Sequence, residues 1–541
     1  MMVELHNLPA AMFQMPMPVL AALPAIVVTL IKMAIVTAIS TAVSVGISYL
    51  LTKRPKGAKA AGASAFELPT AQENRPPSVV WGTRTVTGPN YLSPILEFAA
   101  KKKKHGHGKS RTTVAHYYHV TLHIGVAQAH LDGVLQIGVA DTCLWPTVKD
   151  PTVYAADGQT SATIAAHECW GGWEREGGVA GTLSIQYGGD AQTTDAYLAA
   201  LLADQPAYRG CTGVVLQKMY IGTQAIIKPW WFVCRRRLLM SDGTAMWQLA
   251  NASVGTYDLN AVCVLYELLT SSVIGLGHAA TRIGTSFAAA AATCHTEGYG
   301  VSAIWDWSPD TANTMIEGIE SVIDGKLYWD PATGKFELGL IRADYDPDLL
   351  DTFDESDFWV ESMAGSSPGL VPSTTRVLWY DRDTDQARPA TARDPALLYR
   401  QGGAPIVREI DLAAWVCDGD LAQQIADREQ QQISCMPRTL VIHALRTMSH
   451  LHETSVIKIT YAALNLSAVI FRVALIDRGS ITDEECVLTL VEDVFGTVYA
   501  TQAVPPGAAG SSASETSTDE DIDDGTMEAA ATAASTETGP Y

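Results

Sequence analysis

The chain has no CxxC pair and no even cysteine count. Its nine cysteines (Cys143, Cys169, Cys211, Cys234, Cys263, Cys294, Cys417, Cys435 and Cys486) stand far apart. That spacing suits neither a disulfide scaffold nor a zinc or iron–sulfur ligand set, and it reads as reduced, structural thiols made in a cytosol. There is no nucleophile elbow, HExxH, P-loop or Cys–His signature, so the sequence supplies no support for a hydrolase or a nucleotide-dependent enzyme. Positive charge is also scarce: 37 Lys and Arg stand against 58 Asp and Glu, a net charge of −21. This argues against a duplex-DNA binder that works by neutralising phosphates, although an acidic wall past which DNA slides remains compatible with it. What is present is an apolar, globular composition, 47% hydrophobic and 18% charged over 541 residues. At about 150 residues per domain this predicts roughly three to four domains.

Two stretches lack charge of one or both signs. No residue from Met33 to Leu51 is charged, and Lys32 is the only charge between Val19 and Leu51. This run is long enough to cross a bilayer as a helix, and Lys53, Arg54, Lys56 and Lys59 follow it like a positive-inside flank. Glu4 and the late position of the apolar run do not fit a cleavable signal peptide. The alternative is a helix packed inside an assembly, where Ala34, Ala38, Ser40, Ala42, Ser44 and Gly46 permit close approach. At the other end, Ala503 to Tyr541 carries eight acids and no base in a Ser, Thr, Ala and Gly background. It cannot bury a core and is expected to be a mobile tail or a weak docking helix.

Between these ends the pattern is α+β and predominantly β. Arg75-Pro76-Pro77 fixes an extended entry. A strand follows through Val79, Val80 and Trp81 to Thr87, with Gly82 as a bulge or close approach and Gly88-Pro89-Asn90 as the turn. Lys101 to Lys104, His105, His107, Lys109 and Arg111 read as a solvated hairpin tip, with contact to an acidic partner or phosphate as the alternative. His116 to Val126 alternates, with Tyr118, Val120, Leu122 and Ile124 on a core face and Tyr117, His119, Thr121 and His123 on a wet face. His119 and His123 sit roughly 13 Å apart on a strand, too far to share an ion. No metal or cofactor is expected from these residues, from His105 and His107, or from His167.

Further strands are expected over Val134–Leu144, Thr212–Tyr220 and Lys228–Arg237, with a short helix from Ala196. Trp230 and Trp231 suggest sugar stacking and Arg235, Arg236 and Arg237 suggest phosphate. Neighbouring strand residues face opposite ways, however, so core and rim is the better reading. Helices are expected at Asn260–Thr270, Thr285–Gly298 and Thr311–Ile323, then a hairpin around Asp330–Gly334. Asp344, Asp346, Asp348, Asp351, Asp354, Glu355 and Asp357 lack the spacing of an EF-hand, and a solvated acidic linker is expected. A pair of glycosidase carboxylates would need a separation that sequence does not give. Strands at Thr375–Tyr380, Ile406–Leu412, Arg438–His443, Ser455–Leu464, Ser467–Asp477 and Glu484–Val494, with a helix at Leu421–Ser434, complete a second β region.

Four segments, in order, resemble one family. They are PTAQENRPPSVVWGTRTVTGPN (69–90); AYRGCTGVVLQKMYIG (207–222) leading to KPWWFVCRR; AVCVLYELLTSSVIGLG (261–277) with GKLYWDPATGKFELGLIRADYD (325–346); and VEDVFG (491–496). The chain resembles the baseplate hub, or tip attachment, proteins of long-tailed bacteriophages, the group that includes the N-terminal half of the lambda host-specificity protein J. The resemblance implies a structural virion protein with no catalytic, cofactor-binding or metal residues. It implies a homotrimer at the tail tip, with two tail-tube-like β domains per chain continuing a hexameric tube. The implied partners are the distal tail protein ring, the tape-measure protein and other tail-tip or fibre proteins, with DNA passing through the lumen without specific binding and residues 19–51 packing in the lumen or meeting the host membrane. The matching division is an apolar N-terminal helix and linker at 1–65, a first tube-like domain at 66–145 plus 207–258, an inserted small β domain at 146–206, an α+β domain at 259–345, a second tube-like domain at 346–500 and the acidic tail at 501–541. The chain departs from lambda-like relatives in ending soon after VEDVFG, where they continue into a fibre-like part. The alternatives are a membrane-anchored carbohydrate hydrolase and a cell-surface β-domain scaffold.

Overall fold

A computed structural model describes residues 78–105, 112–128, 130–146, 159–172, 175–306, 311–479 and 485–496. The expected N-terminal helix, the Pro76-Pro77 entry, His107 and the acidic tail lie outside the described residues. Among those described, no helix is long and apolar enough to cross a membrane.

The first region contains β1 (Ser78–Thr87), β2 (Asn90–Tyr91), β3 (Glu97–His105), β4 (Thr112–Gln128), β5 (Gly133–Val139), β6 (Thr142–Trp145), β7 (Gln159–Gly172), β8 (Gly177–Gln186), α1 (Ala196–Leu201), β9 (Cys211–Gly222) and β10 (Trp230–Arg236). One sheet runs β2-β4-β9-β8-β7 with β3 added beside β4. Segment 146–206, expected as a small inserted domain, thus places β7 and β8 in the same sheet as β4 and β9. Its Ala162, Ile164, Leu183 and Ile185 share the core of Val120, Leu122 and Ile124. A second sheet runs β14-β1-β10-β5-β6, in which β14 (Ala303–Asp306) comes from the next region.

That next region holds α2 (Leu249–Ala252), β11 (Ser253–Val254), β12 (Asp258–Asn260), α3 (Ala261–Thr270), α4 (Ser286–Glu297), β13 (Gly300–Val301), α5 (Ala312–Ile323) and the hairpin β15 (Gly325–Asp330) and β16 (Lys335–Leu340). The expected helices are all present. Asn260 caps α3 by accepting from the Val262 N–H at 3.0 Å, and Gly298, at φ +83°, ends α4 in the left-handed conformation that glycine adopts without strain. Arg342 and Arg428 donate to the Ile323 and Val322 carbonyls at the C-terminal end of α5, satisfying acceptors that the helix leaves open.

The last region holds β17 (Thr352–Phe353), β18 (Phe358–Ala364), β19 (Thr374–Asp381), β20 (Gln386–Arg393), α6 (Pro395–Arg400), β21 (Val407–Asp411), α7 (Gly419–Ser434), β22 (Thr439–Leu445), β23 (Val456–Tyr461), β24 (Leu466–Asp477) and β25 (Glu485–Glu492). β17-β23-β24-β25-β22-β18 form a six-stranded sheet over its own core, including Leu440, Phe471 and Leu488. Residues 374–434 pack elsewhere. Val377, Trp415, Leu421 and Ile425 join the core of α3, α4 and α5. The expected acidic linker is mostly exposed, but it also supplies β17 and the start of β18.

β1 is the wall between two cores. Val79 and Trp81 point into the core of α3 to α5, while Val80 and Val86 point into the β4–β9 core, as strand alternation requires. At Gly82, with φ +66°, the strand changes partner from β14 to β10. A Cβ there would lie 2.6 Å from the Val301 carbonyl oxygen, so only glycine allows this approach.

Candidate functional site

The segments that carry the family resemblance meet in space at two buried, charged junctions. The first joins β1, β10 and α3. Trp81, Arg236 and Glu267 are each fully buried. The Trp81 indole N–H donates to Glu267 Oε2 at 2.8 Å, and Arg236 Nη1 donates to Glu267 Oε1 at 2.8 Å. Arg236 Nε donates to the Val80 carbonyl at 2.7 Å, and the Ser241 N–H donates to Glu267 Oε1 at 2.6 Å. The guanidinium also lies over the Trp81 ring, 5.6 Å from its centroid. A buried charge is tolerable only when paired and hydrogen-bonded, and this glutamate receives three donors.

The three arginines at and just after the end of β10 lie in the core: Arg235, Arg236 and Arg237 are all buried. Asp132 braces the end of the run by accepting from the backbone N–H groups of Arg237 and of Leu238, the latter at 2.9 Å. Burial pushes its carboxyl above the usual range, against the pull of those bonds and of the neighbouring arginines.

The second junction joins the α+β region to the last sheet. Arg472 Nε donates to Asp493 Oδ2 at 2.8 Å, and Arg472 Nη2 donates to the Arg342 carbonyl at 3.0 Å. Tyr345 Oη donates to Asp493 Oδ1 at 3.2 Å, and burial with the adjacent Asp493 raises the Tyr345 phenol. Beside it, Arg438 grips Glu492 through both carboxylate oxygens at 2.7 and 2.8 Å, holding that carboxyl below its usual range. Tyr345 belongs to the third quoted segment, and Glu492 and Asp493 to the fourth.

Histidines expected on a wet face are only partly there. His123 is buried under the segment around Tyr208, with its ring edge-on to Tyr208 at 4.5 Å and bonded to Gln186 Oε1 at 3.2 Å. Burial lowers its pKa to about 4. Thr121 is buried with it and donates to Glu97 at 3.0 Å. His119 and His167 both flank the Tyr220 ring, at 5.6 and 6.1 Å. Among the described residues there is no group of three or more His, Cys, Asp or Glu side chains placed to hold a metal ion.

The two tryptophans do not form a sugar platform. Trp230 is buried, while Trp231 lies over Gly138 and donates to the Ala140 carbonyl at 2.8 Å. They line a cleft of about 770 Å³ together with the Arg382–Asp385 turn. The lysine run is not a loop up to residue 105. Lys101 to His105 continue β3, paired with β4, because the 17-residue β4 offers a partner beyond the point where the expected strand stops. Sequence reasoning also passed over Glu267, whose signal was a lone charge inside the otherwise apolar helix Ala261–Leu269. Arg472 gave no comparable signal.

No protein-family model and no curated protein matches the chain. Among solved structures it is similar to a chain of the virion of a native gene transfer agent particle, at 13% identity and TM-score 0.49, covering 84% of this chain and 96% of that one. A tail protein from Neisseria meningitidis MC58 follows at 10% identity and TM-score 0.29, covering 77% and 96%. The 43 kDa tail protein of prophage MuSo2 from Shewanella oneidensis stands at 9% identity and TM-score 0.25, covering 67% and 99%. With every TM-score below 0.5, these are likenesses of outline only.

Proposed function

We propose that the chain is a structural protein of a phage-type tail, the trimeric hub that closes the distal end of the tail tube and opens for DNA. One observation carries this reading. Trp81, Arg236 and Glu267, and Tyr345 and Asp493, come from separated segments that resemble hub proteins, and they interlock at the two junctions, the second completed by Arg472 from outside those segments. Their work is to fix sheets against one another, as a ring-forming protein under load requires.

On this reading the first tube-like domain is built on the β4–β9 sheet, with 66–145 and 207–258 as its frame. The second, within 346–500, is built on the β22–β25 sheet. Three copies then present six such sheets to the tube. The net charge of −21 favours passage of DNA without sticking. The apolar stretch 19–51 packs in the lumen near the tape-measure protein or meets the host membrane, and the distal tail ring and other tail-tip or fibre proteins surround the hub. No part of the role is enzymatic.

The test is electron microscopy of virions carrying an epitope on this chain, together with the mass of the purified full chain in mild detergent. Label confined to the tube's distal end and a mass of three chains are expected. A monomer that hydrolyses a polysaccharide, or label spread along the tube, would overturn the reading.

A further inference from the structure

The segment that follows β10 runs along α3 from the helix's C-terminal end back to its start. Ser241 Oγ meets Ser271 Oγ at 2.9 Å, the Cys263 thiol donates to the Trp247 carbonyl at 3.3 Å, and Asn260 Nδ2 donates to the Asn251 carbonyl at 3.0 Å. Between these points the Trp247 and Tyr266 rings stack with centroids 4.3 Å apart. Both rings are half-buried, while Leu249, Val273 and Leu276 are 48%, 47% and 41% exposed. Together they make an apolar stripe along α3, from Leu276 and Val273 at one end past the stacked rings to Leu249. From Leu238 to Ala280 the only Asp, Glu, Lys or Arg residues are Asp242, Asp258 and Glu267, and the last two are buried. Single apolar side chains on a surface need no cover, but a continuous stripe bordered by one exposed charge marks a binding surface.

We propose that the chain's own apolar stretch, residues 19–51, lies on this stripe before the chain enters any assembly. Where the chain enters the fold favours this occupant. β1 begins at Ser78, and three residues on the Trp81 indole is bonded to Glu267 of α3, so the chain preceding Ser78 arrives at the helix that carries the stripe. The 26 residues 52–77 form the tether. As a coil they span roughly 28 Å, against about 15 Å for the length of α3. Chemistry agrees, because Lys32 is the only charge between Val19 and Leu51. Tethering also gives the stretch an effective concentration in the millimolar range, above that of a second copy in dilute solution. Docked in this way, a run long enough to cross a bilayer is kept out of water until it is drawn away. The docking stands whether or not the chain is a tail hub.

The test uses the full chain, prepared without detergent, with a photoreactive benzophenone side chain in place of Leu249, of Leu276, or of Leu475 on the last sheet, which at 59% is more exposed than either. Adducts from Leu249 and Leu276 to residues 19–51, in a product of one-chain mass, are expected at about ten times the yield from Leu475. A variant carrying Val273→Glu and Leu276→Glu places charge on two exposed positions of the stripe. Chymotryptic cleavage within residues 19–51 should then quicken about tenfold, the effect of losing roughly one buried leucine contact. The proposal is overturned by adducts that join two chains, by equal yields from Leu475, by an absence of adducts to 19–51, or by cleavage that ignores the glutamates.

Discussion

Replacing Glu267 by alanine is the sharpest probe of how the molecule is held together. In the native protein its carboxylate receives Arg236 Nη1 at 2.8 Å, the Trp81 indole N–H at 2.8 Å and the Ser241 N–H at 2.6 Å, all in a fully buried setting. Alanine leaves a guanidinium and two N–H donors without their acceptor. Removing one partner of a buried pair costs about 3–5 kcal/mol, and the three losses are not additive because they share one cause. A chain with several cores need not unfold in one step, so the loss is best read from local opening of α3. Amide exchange across Ala261–Thr270 should speed up by about two to nearly four powers of ten. The double variant Glu267→Leu, Arg236→Met removes both charges and should recover about half of that loss, short of full recovery because Arg236 also serves the Val80 carbonyl. A single-variant cost below about 1 kcal/mol would refute the junction as a structural lock. A double variant as damaged as the single would show that Glu267 acts through Trp81 and Ser241 and not by neutralising Arg236.

Gly82→Ala forces a side chain onto a left-handed residue, 2.6 Å from the Val301 carbonyl oxygen, and should cost roughly 2 kcal/mol or more, seen as a lowered Tm. Asp493→Ala strands the largely buried Arg472 and should cost about 3–5 kcal/mol, with limited proteolysis appearing within residues 341–352. His123 has its pKa lowered from 6.5 to about 4 by burial, so the fold resists its protonation. Its contribution is complete above about pH 6.5 and is lost as pH falls toward about 4, up to roughly 3 kcal/mol. The variant His123→Gln should show a flatter acid limb in denaturant unfolding across that window, and an unchanged limb would count against the buried-neutral assignment.

The elements legible in the sequence were those with a strong local signal. Helices α3, α4 and α5 announced themselves by a cap, a glycine stop and an apolar stripe, and β1 by Val79, Val80 and Trp81 against Gly82. The junctions were not legible, because each unites residues that sequence keeps far apart: Trp81 and Glu267 are 186 positions from one another. Local alternation also misjudged exposure. Thr121 and His123 do occupy the polar face of β4, but segment 188–210 covers that face and buries both. The lysines of β3 have weak strand preference, yet pairing with β4 overrides it.

Chain threading explains why such junctions are needed. After β16 the backbone leaves the α3–α5 core for the last sheet, returns at 365–373 to place β19, β20, β21 and α7, and leaves again at 435–438 to start β22. Three crossings by short connections already restrict hinge motion between the two cores. Charged braces stand at two of them. Arg342 and Tyr345, on the first crossing, engage Arg472 and Asp493, while Arg438, on the third, holds Glu492. The first brace spans elements that a hinge would separate, so bending there would expose a paired ion to partial solvation without a new partner, whereas Arg438 and Glu492 fix the start of β22 to the end of β25 within one sheet. Three short connections and the brace at the first of them thus oppose hinging between the α3–α5 core and the last sheet.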